Sequence, residues 1–492
     1  MLIRDDGPRF LPKPPVPPPP PKPPRTKANP LDVIGAVAHD VFEVARRVEA
    51  VFKGLAVSPA TTPSTPLPKA LSAADLESAQ QTIALASDGR SAQPVAQWLT
   101  AHPDPATQDQ FVKLLFEFGP VAGEVLDKGA NLPPEDQQLL ADAVARAWDG
   151  GVLAQDALRH AVAAGGYGAA FGESHAGLAQ ILGRTARTDL ITAYVDREME
   201  IMPGEAEQAR AEAVATALGA LPPADLQGYL AKRGDAVRTS LGFLRSDPDE
   251  GWSPALGSLL DASAAIQPPT KESLAVFDTA VPLLGENRDS RRAAASFFTR
   301  NAEAVLAGYE ADSAKLGLDG QQKLSAFFAR TLFTDPPYEG QDVFRSALMD
   351  RLSTMTSSLD AHASENPPRV DAQRNAQLLG SLVGTIEGGF HVAVREMDQR
   401  NEAVKGMVDF LFKGADLIPA GKLPGAGILK GMTVDAIEGW VVDHLQEHAQ
   451  SPTEALPFHA LFGERIDSVA LATIYDAARS EAFTNRGTGL VR

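Results

Sequence analysis

The chain has 492 residues, of which 44% are hydrophobic, 22% charged and only 6% aromatic, and its formal net charge is −18. That length provides core enough for two or three domains, and the acidic balance disfavours a nucleic acid as main partner, because phosphate recognition needs a basic face. There is no cysteine, which excludes disulfides, thiolate catalysis and Cys-ligated zinc or iron–sulfur centres.

Residues 1–30 hold six basic and two acidic residues, a net of +4 against the acidic remainder, and 7–30 are low in complexity (GPRFLPKPPVPPPPPKPPRTKANP). Proline fixes φ and removes a backbone donor, so an extended, disordered polyproline II segment is expected. Pro17, Pro20 and Lys22, then Pro20, Pro23 and Arg25, keep a P-x-x-P-x-basic spacing. They are the candidate partner-binding residues here, beside a reading as spacer or export leader. The start, MLIRDDGPRFLPKPP, has no apolar stretch of the length a signal peptide needs. No stretch reaches the roughly 18 apolar residues of a membrane-crossing helix. The expected location is therefore the cytoplasm, with any export using a specialised apparatus.

Asn29-Pro30 suits the start of a helix. Ile34, Val37, Val41, Val44, Val48, Val51 and Leu55 then recur every three or four residues, which predicts one isolated amphipathic helix over 31–56. Residues 57–71 read as a linker. From 72 onward one helix follows another, many opened by proline and acid: Pro133-Pro134-Glu135-Asp136, Pro222-Pro223-Ala224-Asp225 and Asp319. Such residues suit the unbonded N–H groups and the dipole of a first turn. Gly150-Gly151 marks the stop of the helix near 135–148.

Two internal echoes recur in the same order. Leu132–Trp148 matches Leu316–Leu332 at Gln137/Gln321, Gln138/Gln322, Leu140/Leu324, Ala145/Ala329 and Arg146/Arg330. The run 179–200 (AQILG … REME) matches 376–398 (AQLLG … REMD), with Thr188 opposite Thr385 and one residue inserted. Order and spacing predict a duplicated helical unit. The expected fold is all-α: a multi-helix bundle or short α-solenoid. The expected segments are helical unit 1 with intervening helices at 72–270, helical unit 2 at 271–400, and an apolar hairpin with C-terminal helices at 401–492.

Residues 401–449 differ in character. A greasy helix with Phe410, Leu411 and Phe412 leads through Leu417 and Ile418 into a Gly/Pro-rich turn, then Ile428, Leu429 and a second helix from about Thr433 to His448. A buried hairpin closing the core is one reading; a membrane-active hairpin is the other. Asp409, Lys413, Asp416, Lys422 and Lys430 oppose simple spanning, since charges are expensive in a bilayer. The segment LFKGADLIPAGKLPGAGILKGM resembles the Gly-rich apolar hairpins of large helical toxin-like and effector proteins exported by bacteria. AQLLGSLVGTIEGGFHVAVREMDQ is similar to Ala/Gly-rich helices of the same proteins. The resemblance spans 370–450, implies a helical carrier or effector, and transfers no catalytic residue.

Three motifs could carry chemistry. His444-Leu445-Gln446-Glu447-His448 has the H-x-x-E-H spacing, with both imidazoles on one helical face for zinc and Glu447 as base. The downstream ligand helix that such a site needs has only 44 residues left to it, and two histidines near a helix end also suit its negative pole. Gly172-Glu173-Ser174-His175-Ala176 imitates a nucleophile elbow around Ser174, yet a loop precedes it where an elbow needs a strand, so Ser174 reads as a helix N-cap. Gly425-Ala426-Gly427 lacks the G-K-[ST] ending of a phosphate loop. No cofactor and no resident metal are expected. The leading reading is a non-enzymatic helical effector, exported by a specialised apparatus, whose partners are proteins such as secretion machinery or a chaperone, or a membrane. A cytoplasmic scaffold or adaptor is the alternative, and a zinc hydrolase built on His444, Glu447 and His448 the third.

Overall fold

The chain divides into two units, 1–67 and 68–492. A computed structural model describes residues 70–395 and 466–485, except 90, 164–175, 203–206, 245–253, 285–287, 310–316, 334–337, 362–366 and 467. All of these belong to the second unit. The Pro-rich segment, the helix expected at 31–56 and the hairpin of 401–449 lie outside the described residues.

The described residues include seventeen α-helices, one short 3-10 helix (Val281–Leu283) and no strand. The α-helices are α1 (Ala73–Asp88), α2 (Gln93–Ala101), α3 (Pro105–Glu117), α4 (Pro120–Gly129), α5 (Pro134–Asp149) and α6 (Gln155–Ala163). Then come α7 (Ala176–Arg184), α8 (Thr188–Ile201), α9 (Glu207–Gly219), α10 (Pro223–Leu241), α11 (Pro254–Ala264) and α12 (Lys271–Ala280). The series ends with α13 (Arg288–Tyr309), α14 (Leu318–Thr331), α15 (Gln341–Asp360), α16 (Val370–Arg395) and α17 (Val469–Thr484). The fold is therefore all-α, as the sequence predicts.

The start signals act where they were expected. Pro134 and Pro223 each occupy the first turn of their helix, after a proline in extended geometry, and acids follow at Glu135, Asp136 and Asp225. The missing N–H of proline is one that no helical carbonyl would take, and the acids face the positive end of the dipole. Side chains cap other starts: the Asp104 carboxylate accepts the Thr107 amide at 3.1 Å, and Thr270 with Ser273 forms a reciprocal capping box. Gly150 ends α5.

The helices pack in two interleaved series. In one, α3, α5, α7, α9, α11, α13 and α15 each pack on the next; in the other, α4, α6, α8, α10 and α12 do the same. This next-but-one adjacency is the order of an α-solenoid, in which each hairpin buries its apolar face against its neighbours. One continuous hydrophobic cluster follows the series from Ala79 to Tyr475. Its aromatic centre joins α12 to α15: the Phe277 and Phe297 rings stack at 4.9 Å, and Phe327 meets Phe298 at 5.3 Å and Phe344 at 5.7 Å. Helix α13 bends at Asn301, whose amide donates to the Phe297 carbonyl at 3.1 Å in competition with the helical ladder.

Helix α16 is the innermost element, with every residue from 381 to 390 buried, and it lies against α14, α15 and α17. Glycine permits the approach: a Cβ at Gly380 or Gly384 would overlap the Tyr475 or Arg479 carbonyl of α17, and one at Gly389 would stand 2.7 Å from the Ser325 carbonyl of α14.

The echoed segments share some environments and differ in others. Gln137 and Gln321 are both buried, and each side-chain carbonyl accepts from an amide, Gln180 at 3.2 Å and Asn485 at 3.0 Å. Leu182 and Leu379 are both fully buried. Helix α5 packs on α7, and α14 on α16. The chain breaks after Gly183, however, with Ala186 at φ +53° between α7 and α8, whereas the matching stretch runs straight on inside α16. Thr188 therefore opens a helix and donates to Asp225 at 2.6 Å, while Thr385 is buried mid-helix and donates to Ser381.

Candidate functional site

The site residues named from sequence all lie outside the described residues: Pro17, Pro20, Lys22, Pro23 and Arg25; Ser174; Phe410, Leu411, Phe412, Leu417, Ile418, Ile428 and Leu429; and His444, Glu447 and His448. Among the described residues, no group of three His, Asp or Glu side chains is placed to hold a metal ion. None of their helices is long and apolar enough to cross a membrane.

The described residues do form a polar cleft of about 820 Å³ where the end of α1, the last turns of α4 and the start of α7 meet. Lys128 is its centre. Its ammonium donates to the carbonyls of Ala86, Ser87 and Gly89 at 3.2, 2.9 and 2.6 Å and to Glu124 at 2.7 Å. A cation is thus spent on the negative end of α1, the interaction such a helix end favours. The neighbouring Asp127 accepts the Leu178 amide at 3.1 Å, so the start of α7 is capped from α4. Gly177 lets this happen, since a Cβ there would overlap the Asp127 backbone. Asp88, Asn131 and Gln180 complete the polar rim. The cleft's central lysine and aspartate hold two helix ends in place.

Two buried tyrosine–glutamate–arginine groups lie deeper. In one, Tyr194 and Glu198 are one turn apart on α8, and Arg210 of α9 donates to Glu198 at 2.5 Å, with both charges fully enclosed. Burial, reinforced by the Glu198 carboxylate, holds the Tyr194 hydroxyl well above its usual ionisation range. In the other, Tyr475 and Arg479 are one turn apart on α17, and Glu387 comes from α16. Burial likewise pushes Tyr475 up, helped by Glu387. For Arg479 burial works against the charge, and Glu387, Tyr475 and Asp476 together raise the guanidinium further. Removing one partner of such a pair would leave a buried charge uncompensated, which is strongly destabilising.

Nearer the surface, carboxylates fasten successive helices. Asp196 of α8 accepts from Tyr229 at 2.9 Å and pairs with Arg233, both on α10. Asp278 of α12 accepts from Tyr309 of α13 at 3.0 Å and Lys323 of α14 at 2.7 Å. Trp148 of α5 donates to Asp189 of α8 at 2.7 Å. The sequence reading missed all of these residues. Glu387 alone carried a local signal, as the single charge inside the apolar run LLGSLVGTIEGGF.

No protein-family model matches the chain, and no curated protein does. Among solved structures, a crystal structure titled as an engineered protein, from the Northeast Structural Genomics Consortium, is 16% identical, with 84% of this chain and 95% of that chain covered and a TM-score of 0.20. A score that low carries no argument about fold or function.

Proposed function

We propose that the protein is a non-enzymatic helical effector that acts by holding a protein partner along its helical array. The observation that carries this reading is the next-but-one packing of α3–α15. Repeated hairpins stacked in this way leave the faces of successive helices side by side, the kind of extended surface that solenoid proteins offer to other proteins. Helix α10 presents such a face, with Gln227, Ala231, Lys232, Arg233, Asp235 and Arg238 exposed while Leu226, Tyr229, Leu230, Val237 and Leu241 turn inward.

A photo-cross-linking residue at Lys232 and, in separate variants, at Gln227 and Arg238 tests the reading in the organism of origin. One discrete adduct, shared by the three positions and lost at a position on an opposite face, supports it. No adduct, or a diffuse ladder from every position, removes it. The resemblance of 370–450 to exported bacterial effectors supports export. Its check is whether full-length protein reaches the medium of intact cells and stops doing so when residues 1–30 are deleted. Retention inside the cell moves the same binding surface to the cytoplasmic scaffold reading. Elemental analysis of protein purified without chelator addresses the zinc hydrolase: stoichiometric zinc, lost with His444→Ala and His448→Ala, would put that reading first.

A further inference from the structure

We infer that α17 is a splint that keeps α16 in one piece: when α17 leaves, α16 breaks at Gly384-Thr385 into two helices, the course that the matching residues already take between α7 and α8. The two echoes align Gly183 with Gly380, Arg187 with Gly384 and Thr188 with Thr385. In the first segment the helix stops at Arg184, the chain turns through Ala186 at φ +53°, and a new helix starts at Thr188. The second segment carries a stop and a start at the same place, yet lies within 26 unbroken residues of helix. Val383 stands opposite Ala186 and is unsuited to positive φ, but Gly384 beside it is the residue that ends helices in the left-handed region. Thr385 suits an N-cap and Glu387 a first turn. Thr270 and Glu272 open α12 in that same T-x-E order.

What holds the helix straight across this signal comes from elsewhere. The Thr385 hydroxyl donates to the Ser381 carbonyl at 2.6 Å, a back-bond that weakens a helical ladder, and the Thr385 carbonyl accepts the Ser325 hydroxyl of α14 at 3.2 Å. On the α17 side, the missing side chains of Gly380 and Gly384 admit the Tyr475 and Arg479 carbonyls. Arg479 then donates to Glu387 at 2.7 Å, just past the junction. A turn at Gly384 would redirect backbone that α17 touches there and would part Glu387 from Arg479, so the docked helix opposes it. With α17 gone, Glu387 loses the Arg479 cation. Breaking α16 at Gly384 then places the same carboxylate in a first turn, beside the N–H groups that the break sets free. Glu387 thus has a favourable partner in each form, the guanidinium in one and a helix N-terminus in the other. That makes α16 a two-state element biased by α17, and a partner that binds free α17 shifts it towards the broken form.

Residue-resolved amide exchange of the full-length protein tests this, in wild type and in Arg479→Glu, which sets a second negative charge against Glu387 to expel α17. In the variant the amides of 385–388, which lose their carbonyl partners at the break, are expected to exchange about tenfold faster or more. Those of 374–383, 390–393, α9 and α11 are expected to keep their protection. Adding Gly384→Ala and Thr385→Ala removes the stop and the start, and should restore protection at 385–388 with α17 still released. Uniform loss across α16, or uniform protection of it, overturns the inference. So does an Arg479→Glu protein in which α17 stays protected, or a triple variant that restores nothing. Wild type gives a second reading that decides the matter if Arg479→Glu does not fold. In rising, sub-denaturing urea the 385–388 amides are expected to open together with those of α17 and before those of 374–383. Opening of 385–388 only along with the rest of α16 counts against the inference.

Discussion

Arg479 Nε donates to Glu387 Oε2 at 2.7 Å across 92 residues of sequence, and both side chains are buried. Leaving either charge without the other is costly in a dry interior: Arg479→Met should lower stability by about 3–5 kcal/mol. Replacing both, with Glu387→Leu beside Arg479→Met, should recover most of that loss. Urea midpoints for the two single variants and the double variant form the cycle that checks it.

The same helix pair depends on the absence of two side chains. Gly384→Ala places a methyl against the Arg479 carbonyl, which cannot swing aside as a side chain could. We expect a loss of about 1–3 kcal/mol from overpacking. Gly228 on exposed α10 has nothing within 4 Å. Gly228→Ala should instead stabilise by about 0.5–1 kcal/mol through helix propensity. Thermal melts of the two variants should move in opposite directions.

Ala186 holds φ +53° between α7 and α8, where a Cβ costs about 1–2 kcal/mol. Glycine removes that strain but adds freedom to the unfolded chain. Ala186→Gly should therefore raise stability by about 0.5–1 kcal/mol, read from the denaturation midpoint.

The tyrosines set a limit at high pH. Burial raises the ionisation range of Tyr194, Tyr229, Tyr309, Tyr338 and Tyr475 above the usual value near 10. A group raised in the folded state contributes stability that is fully present below its unfolded value and lost as pH climbs through the folded one. Phenolate absorbance should therefore appear for these residues together with loss of helical circular dichroism, in one step above pH ~10. Ionisation of several tyrosines with the helical signal intact would contradict the buried placement.

Leu182→Ala and Leu379→Ala each empty a fully buried site and should cost about 2–5 kcal/mol apiece. The spread within that range measures how well each site collapses.

Helix starts and stops were legible because they depend on local chemistry. Pro134, Pro223 and Asp319 act within their own first turn, and Gly150 ends α5 where the pattern put a stop. The diverging course of the two echoes was not legible. Arg184-Thr185-Ala186-Arg187 ends α7, while Ser381-Leu382-Val383-Gly384 continues as helix because α14 and α17 enclose it. That outcome is decided by neighbours distant in sequence, and a local match between chain segments carries no information about them. The roles of Lys128 and Arg210 were hidden for the same reason. A lysine next to a glycine reads as solvated surface until α1 ends beside it, and an arginine in EQARAEAVATALG reads as an exposed helix face until Glu198 faces it.

Among the described residues, no helix makes substantial contact with one more than three places away in the series. Energetic coupling in such a chain decays with distance along the row, as in a line of dominoes where each piece leans only on those nearby. Substitutions in α2 and in α13 should simply add, and a lesion in one hairpin should leave remote hairpins folded. A new hairpin spliced into the middle of the row disturbs only the faces it separates, which makes the length of this array adjustable by insertion or loss of whole hairpins.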